Sequence, residues 1–319
     1  MPTQKSIADT LGISISLVSR VLSGRAREIG VAEDTIEKVL SEAKRVNYIP
    51  NSAALSLRGE KTHTLGVITY DFEDPYFGII LGELHKIAKQ RKFSLILAGS
   101  YQRDMDTLDL SAFSKHSVEG LIIVGSDRKK DWYENFAQKS IPVVQIGFTT
   151  DSIGTTICLD ETSSTELVVD YLHKQKIKNV ALFFNQSLSH ATFKEHYIKA
   201  LGQRKINILN DIVFDEATDS IKERLQQLKK LPDVLIAGDD ILATKIIRAL
   251  HELNIQVPRD IKVVGFDNIS LASDFIPSLT TLNPPIIEMV KTAFDLVSNN
   301  KSSKKTYRFE PELICRESA

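Results

Sequence analysis

The spacing of hydrophobic residues along the chain changes near residue 65. Before that point hydrophobic positions recur at helical spacing and no segment has the continuous apolar character of a buried strand, which predicts an all-helical module. Beyond it, apolar segments of strand length alternate with amphipathic helical stretches, a pattern typical of a parallel sheet covered by helices on both faces. The predicted strands are residues 65–69, 94–98, 120–124, 142–146, 180–184, 234–237 and 262–266. The predicted helices are residues 4–11, 15–22, 33–46 and 51–58 in the first module, and 76–92, 129–139, 162–175, 192–204, 219–230, 240–254 and 286–299 in the second.

Polar or turn-forming residues stand at the ends of the predicted strands: Asp71, Ser100, Ser126, Asn185, Asp239 and Asp267. Ligands of open α/β sheets bind outside the carboxyl ends of the strands, so these positions predict a binding site. The same residues would also serve as caps for the helices that follow, and the pattern leaves both roles open. The sequence contains no Gly-x-Gly-x-x-Gly and no Walker-type loop, which argues against a dinucleotide or nucleoside triphosphate site.

Length and composition indicate a globular chain of more than one unit. The 319 residues suit two or three compact units, and 42% hydrophobic with 25% charged residues is an ordinary balance for a soluble protein. No apolar run approaches the roughly 18 residues of a membrane helix, and the N-terminus lacks an apolar signal-peptide core, so we expect a cytoplasmic protein. Cys158 and Cys315 match no metal spacing and are expected to be reduced thiols. The sequence predicts no cofactor and no metal site.

The distribution of charge is more informative than its total. The net charge of −1 does not suggest a nucleic-acid binder. In the first 27 residues, however, four basic residues stand against the single acidic residue Asp9, which gives a net charge of +3. The basic residues are Lys5, Arg20, Arg25 and Arg27. A small basic module can bind phosphate locally, although many solvated helix faces carry a similar charge.

The segment from Lys5 to Gly24 predicts a helix-turn-helix. Gly12 suits the tight turn after a first helix, and Ser14 stands where a second helix needs an N-cap. At helical spacing, the residues that face a shared core are Ile7, Ala8, Leu11, Val18, Val21 and Leu22. The residues left outward on the second helix are Ile15, Ser16, Ser19 and Arg20. Such an outward face enters the DNA major groove in helix-turn-helix proteins, whereas an ordinary helical hairpin would carry the same core pattern.

The sequence resembles the LacI/GalR family of bacterial transcriptional repressors. Residues 7–24, which read Ile-Ala-Asp-x-Leu-Gly-Ile-Ser-x-Ser-x-Val-Ser-Arg-Val-Leu-Ser-Gly, are similar to the opening signature of that family. Further similar motifs occur in the family's order over essentially the whole chain. They are residues 35–39, 47–58, 65–68, 74–77, 118–122, 263–268, 279–282 and 311–318.

The resemblance implies roles for residues of the head. Ile15, Ser16 and Arg20 would contact bases, because an aliphatic side chain can contact a thymine methyl group and an arginine can pair with a guanine edge. Lys5, Ser14 and Ser19 would bind phosphates and set the register.

The resemblance also implies a hinge helix over residues 51–58. Asn51 would cap it, Ala54 would contribute to its apolar surface, and Leu57 would insert between base steps in the minor groove of a kinked operator. A short isolated helix is marginal in water, so this helix would fold on its partner. The alternative is that Leu55 and Leu57 pack on the second module.

The head departs from the family pattern at three places. Leu55 stands where the family usually has arginine, and Leu17 where it usually has threonine. The loop over residues 24–31 is about three residues longer than usual. Its arginines, Arg25 and Arg27, would either reach the DNA backbone or be solvated, and the sequence leaves both outcomes open.

For residues 61–319 the resemblance implies a two-lobed sensor of the periplasmic-binding-protein-like type, an α/β/α fold. The N-lobe would comprise about 61–160 and 285–305, and the C-lobe about 161–284 and 306–319, joined by three chain crossings. An effector would bind between the lobes. The candidate effector residues are Asp71, Phe72, Tyr76, Phe77, Ser126, Phe148, Phe193, Asp239 and Asp267. Carboxylates and aromatic faces suit a sugar, although Tyr76 and Phe77 could equally be core residues.

The main departure in the sensor lies at Phe193. The family commonly has an effector-gripping arginine there and a glycine where His196 stands. Without the arginine a bidentate grip on a polar ligand is lost, so we expect an atypical, more apolar effector or none. The second departure is Asn283-Pro284-Pro285, because the family usually has glutamine before the second proline, where Pro284 stands.

These observations predict a sequence-specific repressor that binds a pseudo-palindromic operator as a homodimer and has no membrane partner. Two alternatives come from other classes. A plain solute-binding protein would lack the helical head. An α/β enzyme could use Asp71, Asp239, Asp240 and Asp267, but no Gly-x-Ser-x-Gly elbow or metal spacing supports a reaction, and we expect no enzymatic activity.

Overall fold

A computed structural model describes residues 2–48, 61–99, 110–125, 141–147, 154–215, 220–299 and 305–319. Its strands are β1 Thr64–Thr69, β2 Ser94–Gly99, β3 Leu121–Val124, β4 Val143–Ile146, β5 Thr155–Leu159, β6 Asn179–Asn185, β7 Asn207–Phe214, β8 Val234–Ala237, β9 Lys262–Phe266, β10 Thr280–Asn283, β11 Thr306–Phe309 and β12 Glu312–Ile314. Its α-helices are α1 Gln4–Leu11, α2 Ile15–Leu22, α3 Glu33–Arg45, α4 Pro75–Gln90, α5 Ser111–Lys115, α6 Glu161–Lys174, α7 Leu188–Gln203, α8 Ile221–Gln226, α9 Asp240–Glu252, α10 Ser270–Asp274 and α11 Ile286–Ser298.

The chain divides into two compact units, Met1–Thr62 and His63–Ala319. The described part of the first unit holds α1, α2, a single 3-10 turn at Arg27–Ile29, and α3. The three helices pack on one another around a small apolar core. Its buried residues are Ile7, Ala8, Val18, Val21, Ala26, Ile36, Val39 and Ala43. The predicted helices 4–11 and 15–22 agree with α1 and α2, and the predicted hinge helix 51–58 lies outside the described residues.

The second unit contains two six-stranded sheets, each the centre of one lobe. The first has the order β11-β5-β4-β3-β1-β2, and the second has the order β12-β10-β9-β8-β6-β7. Every strand pair in the first sheet is parallel. In the second sheet only β12 runs antiparallel, against β10. Each central strand is apolar and buried along its length, as expected for a sheet covered on both faces.

The chain crosses between the lobes after β5, between β10 and α11, and between β11 and β12. The return to the first lobe is made by α11, which buries Met289, Phe294 and Val297 and packs on α4 and β4. We expected residues 306–319 to belong to the C-lobe, and for Thr306–Phe309 this is wrong. These residues form β11, which pairs with β5 of the first sheet and packs Tyr307 and Phe309 against the core.

The predicted and observed elements differ most in the strands at sheet edges and directly beside them. β5, β7, β10, β11 and β12 are absent from the predicted strands, because their sequences mix polar and apolar residues or are very short. Helix α7 begins at Leu188, ahead of the predicted residue 192, because Ser187 supplies an N-cap. Helix α8 covers only Ile221–Gln226 of the predicted 219–230. None of the helices in the described ranges is both long enough and apolar enough to cross a membrane.

Candidate functional sites

The turn between α1 and α2 is fixed by local capping. Gly12 adopts a left-handed conformation with φ of 65°, and its backbone N–H donates a hydrogen bond to the carbonyl oxygen of Ala8. The Ser14 hydroxyl accepts a hydrogen bond from the backbone N–H of Leu17 at 3.1 Å. These two caps end one helix and start the next within three residues, which gives the helix-turn-helix geometry that the sequence predicts.

The outward face of α2 is accessible, as the helical spacing predicts. Ile15 is 46% exposed although its side chain is aliphatic, and Ser16 and Arg20 are also exposed. Ser19 is half-buried beside them. Lys5 and Ser14 are exposed near the N-termini of α1 and α2. The other three predicted DNA-contacting residues, Asn51, Ala54 and Leu57, lie outside the described residues.

The two arginines of the long loop have different surroundings. The guanidinium of Arg27 donates two hydrogen bonds to the carboxylate of Glu33, at 2.8 and 3.2 Å. Arg25 is exposed. The Arg27 side chain remains 75% exposed in this ion pair, so both outcomes that the sequence leaves open stay predictions.

A cleft opens between the two sheets of the second unit at the carboxyl ends of their strands. The cavity in this cleft has a volume of about 140 Å³, roughly ten times the ~10–15 Å³ that one water molecule needs. Five of the predicted effector residues line it, namely Tyr76, Phe77, Phe193, Asp239 and Asp267. Two further candidates, Ser126 and Phe148, lie outside the described residues.

The structure does not place Asp71 and Phe72 in the lining of the cleft, and these two expectations are corrected. A carboxylate oxygen of Asp71 accepts the backbone N–H of Glu73 at 2.9 Å, which closes a local turn after β1. The ring of Phe72 lies against Gly99 at the end of β2 and is 52% exposed. The rule that ligands bind at the carboxyl ends of strands (the strand-end rule) identified the correct loop, but it does not determine which way the side chains of that loop point.

Sequence reasoning missed most of the wall of the cleft. The additional lining residues are Tyr70, Asp74, Gly125, Ile146, Gly147, Cys158, Leu159, Asn185, Ser187, Ser189, His190, Gly238, Phe266 and Met289. Asn185 was noted only as a strand end. Gly125 and Gly147 could have been predicted from their position at strand ends, because they directly follow β3 and β4, with φ of 129° and 136°. His190 carries no such signal, because it lies in the first turn of α7.

His190 is held at both ring nitrogens. The backbone N–H of Asn185 donates to Nδ1 at 2.9 Å, so in the neutral ring the hydrogen is on Nε2. Nε2 faces a carboxylate oxygen of Asp239 at 3.3 Å. The ring packs edge-on against Phe184 and directly over Gly238, where an added Cβ would lie 2.5 Å from the ring. His190 and Gly238 together orient Asp239 at the C-lobe side of the cleft.

Asp240 lies behind the cleft and is completely buried. One carboxylate oxygen accepts the Thr281 hydroxyl at 2.6 Å, and the other accepts the backbone N–H of Ile269 at 3.0 Å. Burial raises the pKa of Asp240 to about 7, against the lowering effect of these hydrogen bonds. The carboxyl group thereby ties α9, β10 and the loop after β9 together, which is a structural role.

Asp267 carries an unusual backbone. Its φ is 106°, in the left-handed half of the map that non-glycine residues rarely adopt. Burial, followed by the charges of Asp240, Asp239 and Asp74, raises the pKa of Asp267 well above its usual range. Strained backbone and a perturbed carboxyl group in a cleft are features of functional sites.

The cleft wall also contains the thiol of Cys158. Burial raises the pKa of Cys158 to about 12, so the thiol stays protonated and is a poor nucleophile. Cys158 and Cys315 are both free thiols.

Comparisons with known proteins match the whole chain. A family model described as a periplasmic binding protein-like domain matches residues 169–319. The HTH-type transcriptional repressor PurR of Photobacterium profundum is 28% identical over 336 aligned residues, covering 100% of this chain and 98% of the relative. The HTH-type transcriptional regulator RegA of Clostridium saccharobutylicum is 29% identical, covering 98% of each chain.

Solved structures share the fold. The lac repressor dimer bound to operator and the anti-inducer ONPF superposes with a TM-score of 0.82 at 22% identity, covering 99% of this chain and 98% of that one. The complex of the transcriptional regulator CelR with cellobiose superposes with a TM-score of 0.68 at 19% identity, covering 100% of both chains.

Proposed function

We propose that the chain is a member of the LacI/GalR family of bacterial transcriptional repressors, which it resembles along its length, and that it is a sequence-specific DNA-binding repressor. A small molecule in the cleft between its lobes modulates its affinity for the operator. The observation that carries this proposal is the recognition face of α2, where an exposed isoleucine and an exposed arginine project from a helix that is capped by Ser14 and seated on its own core.

In this proposal α2 enters the major groove. Ile15 contacts a thymine methyl group, Ser16 bonds a base edge, and Arg20 pairs with a guanine. Lys5, Ser14 and Ser19 contact phosphates and fix the register of the helix. The hinge segment, with Asn51, Ala54 and Leu57, binds the minor groove at the centre of the operator.

We propose that the functional form is a homodimer on a pseudo-palindromic operator, since two-fold operators match two-fold proteins. One feature of the second unit supports a partner surface. The edge strand β2 exposes 51% of Leu97, and a groove beside it is lined by Leu81, Phe93 and Leu95. An apolar sheet edge of this kind is usually covered.

The cleft is proposed to bind the effector, a sugar-like molecule with atypical contacts. Tyr76, Phe77 and Phe193 offer ring faces, while Asp239 and Asp267 offer acceptors for hydroxyl or amine hydrogens. A ligand that prefers one arrangement of the lobes shifts the equilibrium between them, and through it the affinity of the head for DNA. We propose that the protein is not an enzyme and that it acts in the cytoplasm, where the operator is.

The test of the DNA-binding proposal is a pair of arginine variants. Arg20→Ala should relax the preference at one base pair per half-site by about 1–3 kcal/mol of discrimination, because a bidentate guanine contact is lost. Arg25→Ala is the matched control, since it removes an exposed arginine from the loop that follows α2. It should leave the base preference unchanged.

The measurement is competition binding of the full chain to an operator and its single-base variants at fixed salt. An equal loss of affinity on every sequence for Arg20→Ala would assign that residue to a phosphate. A wild-type protein that binds all duplexes equally would overturn the proposed function.

A further inference from the structure

Apart from His190, the ionisable side chains of the described cleft lining include carboxylates but no lysine or arginine. The three carboxylates are those of Asp74, Asp239 and Asp267. His190 does not offset them, because its Nδ1 accepts from the backbone of Asn185 and its Nε2 is directed at Asp239. The described part of the cleft is therefore built to accept hydrogen bonds and positive charge.

Two of the three carboxylates already hold local partners. A carboxylate oxygen of Asp74 accepts the backbone N–H of Tyr76 at 2.9 Å, and one of Asp239 accepts that of Leu242 at 2.6 Å. Asp267 differs, since no described residue donates a hydrogen bond to its carboxylate. A carboxylate enclosed in a cleft without a donor is unfavourable unless a ligand supplies one.

The backbone around Asp267 is fixed in spite of its strain. The N–H of Asp267 donates to the carbonyl of Leu282 at 2.9 Å. Next to it, the side chain of Asn268 accepts from the Arg316 guanidinium at 2.7 Å. A φ of 106° is strained for a residue other than glycine and persists only where the surrounding structure determines it. These bonds hold Asp267 in the wall of the cleft.

The empty cleft also concentrates like charges. The raised pKa of Asp267 reflects burial together with Asp240, Asp239 and Asp74. A cation would relieve this repulsion, whereas a phosphate or carboxylate group would add to it. The wall also contains aromatic rings, with the centroids of the Phe193 and Phe266 rings 4.8 Å apart and those of the Tyr76 and Phe77 rings 5.7 Å apart. Aromatic faces attract both apolar rings and cations.

We propose that the effector is a compact ring compound that carries a protonated amine, with the ammonium group against Asp267 and the ring between the aromatic walls. This inference rests on the proposed role of the cleft as the effector site. The resemblance implies an arginine that binds the effector at the position of Phe193. In the arrangement that we propose the charges are reversed: the protein provides the anion, and the ligand provides the cation.

The test uses probe pairs that differ by one group, –NH₃⁺ against –OH. The pairs are D-glucosamine with D-glucose, cyclohexylamine with cyclohexanol, and benzylamine with benzyl alcohol, and glucose 6-phosphate serves as an anionic probe. Stabilisation of the full chain is measured by thermal shift near neutral pH, and affinities by calorimetry. We expect at least one amine to bind and its hydroxyl counterpart to bind more weakly or not at all.

Two variants separate a charge contact from general damage. Asp267→Asn preserves the shape of the side chain and should weaken amine binding about 10- to 100-fold, with less than about a threefold effect on a neutral probe. Asp71→Asn makes the same change in net charge outside the cleft lining and should leave amine binding unchanged. Without ligand, Asp267→Asn should unfold at a higher temperature than the wild type, because a repelled carboxylate has been neutralised.

Three results would overturn the inference: no amine binds at millimolar concentration, a neutral or anionic probe binds more tightly than its amine counterpart, or Asp71→Asn weakens amine binding as much as Asp267→Asn. Operator binding measured on the same preparations separates this inference from the proposed function. Amine binding without sequence-selective DNA binding would refute the proposed function alone. Selective DNA binding without amine binding would refute the inference alone.

Discussion

Among single residues, Gly238 has a role that depends on the lack of a side chain. An added Cβ would lie 2.5–2.8 Å from three atoms of the His190 ring, so the imidazole occupies the space that any other residue would need. His190 in turn contacts Asp239. The position therefore controls the geometry of the C-lobe side of the cleft through its neighbour.

We expect Gly238→Ala to lower the free energy of unfolding by about 1–3 kcal/mol, because overpacking displaces the ring from its two hydrogen-bonding partners. Gly202→Ala is the control. Gly202 lies in α7 with open space around the added methyl group, and the change should stabilise the protein by about 0.5–1 kcal/mol. Urea unfolding of both variants measures the difference.

A double-mutant cycle identifies the ring as the cause. In a His190→Ala background the Gly238→Ala substitution should cost much less, since the obstructing ring is gone. If Gly238→Ala costs the same with and without His190, the proposed clash is wrong.

At the residue scale, the sequence predicts what local rules determine. Ser14, Gly12 and the outward face of α2 follow from capping and helical spacing alone. Asp239 and Asp267 follow from the strand-end rule. His190 could not be predicted, because its contact with Asp239 joins the ends of β6 and β8 through tertiary packing. Asp71 satisfied the same rule as Asp267 but closes a turn instead.

At the scale of secondary-structure elements, the Asp240 carboxyl group connects several elements, and its perturbed pKa makes this connection depend on pH. It connects the first turn of α9 with β10 and with the loop before α10. Its pKa in the folded protein is about 7, above its ordinary value of 3.8. The folded state thus holds this proton more tightly than the unfolded state, so its contribution is favourable below about pH 4 and is lost as the pH rises through about 7.

We expect the free energy of unfolding of the wild type to fall as the pH rises from about 5 to about 8, by at most about 1.4 kcal/mol per pH unit from this group. Asp240→Asn should reduce that slope, because the amide does not titrate and, like the protonated carboxyl group, keeps one carbonyl acceptor. Asp267 contributes a slope of the same sign, which Asp240→Asn leaves in place.

Asp260→Asn provides the control for this slope. Asp260 is exposed and its hydrogen bonds with Arg259 lower its pKa, so it titrates below the range in question. Its substitution should leave the slope unchanged above about pH 5. A slope that is the same in wild type and Asp240→Asn would show that Asp240 is not the titrating group.

Prediction of elements from sequence works where a segment has one consistent period. The helices that carry one clear apolar face and the largely apolar strands β1, β3, β8 and β9 are close to the predicted bounds. The strands β7 and β11 lie at sheet edges and are partly exposed, and the polar residues mixed into their sequences interrupt the apolar pattern of a buried strand. The assignment of Thr306–Phe309 to the first lobe depends on pairing with β5, which is remote in sequence.

At the scale of the whole molecule, the proposed function couples a head that reads DNA to a sensor that binds a ligand. The resemblance predicts three crossings, and the described residues show where each one lies. Because every crossing connects the two lobes, a ligand that prefers one lobe arrangement biases the whole second unit. The chemistry of the ligand is the part that the sequence pattern alone could not provide, since it depends on which side chains meet across the cleft.

The most direct test of the central claim is selection of bound duplexes from a random DNA pool by the full-length protein at near-physiological salt, followed by sequencing. We expect an enriched pseudo-palindrome with a flexible pyrimidine–purine step at its centre, and loss of the enrichment in a variant that carries Ile15→Ala and Arg20→Ala together. Absence of any enriched sequence, with binding that weakens equally on all duplexes as salt rises, would contradict the account.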